Sequence, residues 1–129
     1  MIVVDASAVV SVVADDTEVG RKRRRRLRRI RLASPDLMRV ECLSALRRHE
    51  AAGALDTERA QRAMEDLMDL PILTYPTTPL LLRSWQLRSN LTSYDACYVA
   101  LAEALSCTLL TADERLSRAP GIRCEVEVI

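Results

Sequence analysis

Four carboxylates in this chain of 129 residues, Asp5, Glu41, Asp95 and Asp113, lie where a short apolar strand or an amphipathic segment meets a boundary. Asp5 ends Ile2-Val3-Val4, and Asp113 follows Thr108-Leu109-Leu110-Thr111. Asp95 opens the apolar stretch Tyr94 to Leu105, and Glu41 interrupts a helical pattern. In open α/β sheets ligands bind outside the carboxyl ends of the strands, so acids at such ends converge although the sequence separates them. Converging anions repel unless a cation joins them. Mg2+ and Mn2+ are hard ions that prefer oxygen ligands, with waters and a substrate phosphate completing the shell. The chemistry they offer is activation of water and neutralisation of charge on a phosphate, that is, phosphodiester hydrolysis.

Each acid also has a structural explanation. Thr92-Ser93-Tyr94-Asp95 and Thr111-Ala112-Asp113-Glu114 both match the capping box, and acids in a first helical turn are favoured by the macrodipole. In the second box Glu114 takes the capping position, which leaves Asp113 without that role. Asp5 follows three apolar strand residues, where a lone carboxylate is costly to bury unless paired or metal-bound, although it can also cap the helix that begins near Ser7. Glu41 fits the polar face of its own helix.

The elements that must position these acids alternate. Periodicity predicts a strand at residues 2 to 5, helices at 6 to 14 and 18 to 29, and a short strand at Ile30 to Ala33. Ser34-Pro35-Asp36 reads as a turn, followed by a helix from Leu37 to Ala52 that stops at Gly53 and another from Asp56 to Leu70. Ile72 to Tyr75 is a strand between prolines, Thr77 to Ser89 a helix, and Asn90 to Ser93 a loop. Then come a helix at Tyr94 to Leu105, a strand at Cys107 to Thr111, a short helix before Pro120-Gly121, and an alternating strand over Ile122 to Ile129. Strands alternating with helices predict a parallel α/β sheet covered on both sides, with one hairpin of helices standing apart.

With 49% hydrophobic residues, the chain has material for one domain spanning residues 1 to 129. No apolar run approaches the roughly 18 residues of a membrane span, and the N-terminal stretch lacks a basic leader. A cytoplasmic protein without a membrane partner is expected. Cys42, Cys97, Cys107 and Cys124 are spaced by 55, 10 and 17 positions, which fits neither a zinc knuckle nor a redox pair and predicts buried free thiols.

The acidic residues sit in stretches that together resemble the PIN-domain family, and more narrowly its VapC toxins. The resemblance runs through Ile2-Val3-Val4-Asp5-Ala6-Ser7-Ala8, Val40 to Arg48, Ser93 to Ala102, and Leu109-Leu110-Thr111-Ala112-Asp113-Glu114-Arg115-Leu116. It implies a PIN-like α/β/α sandwich with a short, mainly parallel central sheet and flanking helices. It also implies a Mg2+- or Mn2+-dependent endoribonuclease that yields a 5′-phosphate and a 3′-hydroxyl, usually dimeric and held inactive by a VapB-like antitoxin. Carried onto this chain, the resemblance makes Asp5 and Asp95 the principal metal ligands, Glu41 and Asp113 further or second-metal ligands, and Ser7 and Thr111 supporting hydroxyls. Ser44 departs from the family, many members of which carry asparagine there.

The formal charge of +1 conceals an asymmetry. Arg21, Lys22, Arg23, Arg24, Arg25, Arg26, Arg28, Arg29 and Arg31 hold nine of the 19 basic residues, so the rest of the chain is acidic. Like charges at i, i+4 cost a few tenths of a kcal/mol each, about 0.2 to 0.5, and phosphate would offset them by charge neutralisation and counterion release. The run is either an RNA- or antitoxin-contacting surface or a solvated face. Three tyrosines, one tryptophan and no phenylalanine leave little aromatic surface for base stacking, so selectivity should come from RNA shape. His49, the only histidine, sits among Arg47, Arg48 and Glu50 and reads as a surface residue without a partner for acid–base work.

Two rival functions remain open to the residues. An aspartate-nucleophile phosphatase would also place an acid after its first strand, but it needs an Asp-x-Asp pattern where this chain has Ser7. A noncatalytic RNA- or partner-binding module would use the basic helix as its surface.

Overall fold

The computed structural model describes residues 1–129. Five strands form one sheet: β1 (Ile2–Val4), β2 (Leu32–Pro35), β3 (Ile72–Tyr75), β4 (Leu109–Thr111) and β5 (Val126–Val128). Their order is β3-β2-β1-β4-β5 and every pairing is parallel. The helices are α1 (Ala6–Val13), α2 (Glu18–Leu27), α3 (Met38–Ala51), α4 (Thr57–Asp69), α5 (Leu81–Gln86), α6 (Ser93–Ala104) and α7 (Glu114–Ser117). None is long and apolar enough to cross a membrane.

Val3, Val4, Ala33, Leu109 and Leu110 are fully buried in the middle of the sheet. Strands hidden on both faces read as apolar runs rather than alternating ones, which is why β1 and β4 were legible. The helix α6 packs on β1, β2 and β4, while α3 and α4 pack on each other and on α1. The expected helical hairpin is therefore tied to the body through α1.

The structure moves β2 two residues onward. Ile30 belongs to the turn that closes α2, where its N–H reaches the Leu27 carbonyl. Ser34 and Pro35, expected as a turn, pair instead with Thr74 and Tyr75. Proline is tolerated there because the strand ends with it, and the next ladder bond to the Tyr75 carbonyl comes from the Asp36 N–H at 2.8 Å. The helix expected over Thr77 to Ser89 is a 3-10 turn at Thr78–Leu80 followed by the short α5. The C-terminal strand is confined to Val126–Val128 at the sheet edge.

Cys42 and Cys97 are buried, as expected of free thiols, whereas Cys107 and Cys124 are only half-buried. Burial pushes the Cys42 thiol up to about 12 and the Cys124 thiol up to about 11, which keeps both protonated and unreactive.

Candidate active site

The chain leaves β1 toward β2 on one side and later returns to lay β4 on the other, so the order of connection reverses between β1 and β4. Open α/β sheets bind ligands in the crevice at such a switch, outside the carboxyl ends of the strands. Asp5 directly follows β1 and Asp113 lies two residues beyond β4. A cavity of about 610 Å³ opens there, and Asp5, Glu41, Asp95 and Asp113 all line it, with Ser7 and Tyr98.

Asp5 is 4% exposed and fully hydrogen-bonded. Oδ1 accepts from the Ala8 N–H at 2.8 Å and the Ser7 hydroxyl at 2.7 Å, and Oδ2 accepts from the Thr111 hydroxyl at 2.5 Å. It is thus the N-cap of α1 and part of the cavity wall at once. Burial pushes its carboxyl above the ordinary range, against the pull of the Thr111, Ala8 and Ser7 hydrogen bonds, and the Asp95 charge pushes the same way. Ser7 and Thr111, expected as supporting hydroxyls, are the two that hold this carboxylate.

Glu41 comes from the first turn of α3. The buried Tyr98 hydroxyl donates to its Oε1 at 2.7 Å. Burial raises the Glu41 carboxyl, Tyr98 opposes this, and the charges of Asp95 and Asp5 raise it further. Asp95 is raised chiefly by burial, against its Thr92 hydrogen bond, with the Asp113 charge adding to it and Arg115 opposing. Asp5, Glu41 and Asp95 are linked by mutual repulsion, and the Asp113 charge reaches Asp95.

The first capping box is present, since Thr92 caps α6 and accepts from the Asp95 N–H at 3.2 Å. The second is corrected. Asp113, not Thr111, caps α7 and accepts from the Arg115 N–H at 2.9 Å. Thr111 is the last residue of β4, fully buried, with its hydroxyl spent on Asp5. Arg115 also places Nε and Nη2 on the Asp113 oxygens at 3.1 and 2.8 Å and holds that carboxyl below its usual value.

No three Asp, Glu, His or Cys side chains come close enough together to enclose a metal ion. The four acids share a wall rather than a point, as four anions do when only protein dipoles and Arg115 offset their charge. The donor set is nonetheless all oxygen, and three of its members are held at raised proton affinity. That is the environment a hard divalent cation relieves.

Sequence reasoning missed several lining residues, among them Tyr98, Arg48 and His49. Tyr98 sits at i+3 from Asp95 on α6, one face of a helix, and that spacing was the available signal. Arg48 and His49 line the same cavity at its far end, and His49 is half-buried rather than a plain surface residue. Their spacing from Glu41, i+7 and i+8 on α3, pointed the same way.

Of the nine basic residues at 21 to 31, five are engaged within the chain. Arg21 and Arg25 pair with Glu18, Arg26 with Glu127 and Arg23 with Asp15, while Arg24 donates to the Val12 and Asp15 carbonyls. Intramolecular acids and carbonyls therefore offset much of the self-repulsion for which phosphate was expected.

The PIN domain family profile matches residues 2–122. Ribonuclease VapC9 of Mycobacterium tuberculosis is 40% identical over 129 residues, all of this chain and 98% of its relative. The crystal structure of PAE2754 from Pyrobaculum aerophilum superposes with a TM-score of 0.70 at 27% identity, covering 98% of this chain and 83% of that one. VapBC2 from Rickettsia felis, solved bound to a DNA fragment from its promoter, shares the fold at 16% identity. Its TM-score is 0.69, with 100% of this chain and 99% of that one covered.

Proposed function

The chain belongs to the PIN-domain family, and on that premise we propose that it is a metal-dependent endoribonuclease, the toxin of a VapBC-type toxin–antitoxin pair. The observation that carries this reading is the convergence of Asp5, Glu41, Asp95 and Asp113 on one cavity at the switch between β1 and β4.

Asp5 and Asp95 are the leading ligands for Mg2+ or Mn2+, with Glu41 and Asp113 as further or second-metal ligands. When bound, the ion supplies neutralisation of phosphoryl charge and activation of a water. The chain's own part is preorganisation. Ser7, Ala8 and Thr111 fix both oxygens of Asp5. Tyr98 occupies Oε1 of Glu41 and leaves Oε2 without a hydrogen-bond partner. Glu41 and Asp95, half-buried carboxylates whose proton affinity burial raises, are the groups placed to take up a proton beside the site. Arg115 fixes both oxygens of Asp113, and Oδ2, which accepts only from Nη2, keeps a lone pair that could face a cation.

A VapB-like antitoxin is the proposed protein partner, supported by the VapBC2 structure of Rickettsia felis, which shares the fold. Lys22 on α2 and Arg28, Arg29 and Arg31 just beyond it, which have no ion-pair partner within the chain, are the cations left for such a partner or for RNA. A homodimer is proposed through α5, where Leu81, Leu82 and Trp85 are 53%, 84% and 65% exposed.

The test is cleavage of a structured RNA by the purified, antitoxin-free chain with and without Mg2+ or Mn2+, comparing wild type with Asp5→Asn and Asp95→Asn. Metal-dependent cleavage by the wild type alone is expected. Cleavage surviving both substitutions would overturn the site, and binding without cleavage in either metal would favour a noncatalytic module.

A further inference from the structure

The charged wall of the cavity is almost entirely acidic: Asp5, Asp15, Glu41, Asp95 and Asp113 against a single arginine, Arg48. The other cations beside these acids are already engaged. Arg115 is forked onto Asp113, and Arg23 lies 3.8 Å from Asp15. Arg48 has no carboxylate partner; its guanidinium donates only to the Ser44 hydroxyl, at 3.2 Å, one turn back on α3. A cation on the rim of an anionic cavity, oriented but not neutralised, is placed for an incoming anion.

Its distance from the acids fits a nucleotide strand. Glu41, Ala45 and Arg48 stand at i, i+4 and i+7, one above another on a single face of α3. At 1.5 Å per residue the two charged positions are roughly 10 Å apart along the helix axis, and the arginine side chain spans several ångströms more in either direction. A strand that seats one phosphate among the acids carries its neighbours into that range.

The wall beside Arg48 has room for a base. Gly53, with φ of +75°, ends α3 in a Schellman turn: its own N–H reaches the Glu50 carbonyl and the Ala54 N–H reaches the His49 carbonyl at 2.9 Å. That reversal folds Ala54 and Leu55 back over the helix end, where they line the cavity together with His49. An imidazole is a face on which an unstacked base stacks, and Leu55 adds an apolar wall beside it.

We propose that Arg48, braced by Ser44, binds the phosphate flanking the scissile one, and that His49 and Leu55 bound the recess for the adjoining base. The inference rests on the ribonuclease reading above and makes this end of the cavity a nucleotide subsite. A basic residue in the last turn of a helix is also favoured by the macrodipole. Arg47 is the control for nonspecific charge at this end of α3, since it is exposed, adjacent on the same helix, and outside the cavity.

The experiment measures binding of a fluorescein-labelled, short single-stranded RNA pool of random sequence by anisotropy. The full chain is used in the Asp5→Asn background, with Mg2+ fixed and KCl varied. Loss of one single-strand phosphate contact lowers the slope of log K against log [salt] by about 0.7. Arg48→Ala and Arg48→Gln should each show that drop, and Arg47→Ala should show none. In the cleavage-competent chain, Arg48→Gln should raise KM about 10-fold with kcat held, the signature of lost uniform binding. A salt slope for the Arg48 variants equal to that of Arg47→Ala would overturn the subsite even where the wild type cleaves RNA. Absence of cleavage by the wild type would overturn the ribonuclease reading, and this inference with it.

Discussion

The phenolic hydroxyl of Tyr98 donates to Oε1 of Glu41 across 2.7 Å, joining α6 to α3 inside the acidic cavity. Tyr98 is 1% exposed and lies one turn after Asp95, so a single helix supplies one acid and the anchor of another. Tyr98→Phe keeps the packing and removes only this bond. Loss of a residue that orients a ligand costs about 10- to 100-fold in metal affinity or activity. The variant should show that loss in Mn2+ affinity as well as in cleavage rate. Combined with Glu41→Gln in a double-mutant cycle, it should be non-additive by about 0.5 to 3 kcal/mol; strict additivity would mean that Tyr98 does not act through Glu41.

Burying the Asp5 carboxylate costs stability. Its carboxyl titrates above 3.8 in the fold, so between that value and its folded value the native state binds more protons than the unfolded chain. Stability of the metal-free protein therefore falls as pH rises through that window, and the penalty is complete above it. Asp5→Asn retains an oxygen to cap α1, so without metal it should melt above the wild type at neutral pH. The gap should close below about pH 4, where both forms are uncharged. Added Mg2+ should raise the wild-type melting temperature and leave Asp5→Asn unmoved, which differential scanning fluorimetry reads directly.

Away from the cavity, Glu103 has the opposite sign. Burial raises its carboxyl, but the Arg83 fork at 2.7 and 3.1 Å and the Arg123 N–H at 2.8 Å outweigh burial and hold it below 4.5. Its contribution is present above that value and is lost as pH falls through the lower, folded one. Glu103→Gln should cost about 1 to 3 kcal/mol in urea unfolding at pH 7. The difference from wild type should shrink in acid; a constant difference would rule out the charged pair as its source.

Leu82, the most exposed large apolar residue of the chain, tests the proposed self-association. Leu82→Glu should move the protein from dimer to monomer in light scattering with little change in melting temperature. A wild type that is monomeric at every concentration would remove α5 as an interface.

How far the sequence carried differs between the acids and their surroundings. Asp5 and Asp113 stood out because apolar runs of three or four residues ended beside them, and such runs are what a strand buried on both faces leaves in a sequence. The helices around Glu41 and Asp95 were likewise visible from their periodicity. The failures lay where one residue type serves two purposes. Asp113 was denied a cap because Glu114 fitted the capping pattern, yet the short α7 begins two residues later than that pattern implied. Ser34-Pro35 reads as a turn in isolation, and only β3 running alongside makes it a strand. Arg48 and His49 merged into a charged run because which face of α3 meets the cavity is decided by α1 and by the reversal at Gly53.

The order of the strands also sets when the cavity comes into being. Its centre, β1 with Asp5, occupies residues 2–4, yet the paired strand that supplies Thr111 and leads into Asp113 comes only at residues 109–111. Until that late segment inserts beside β1, Asp5 lacks the Thr111 hydroxyl on Oδ2 and the cavity lacks Asp113. Asp5, Glu41 and Asp95 therefore all precede the segment that completes the cavity, and the four acids face one another only once β4 has paired with β1.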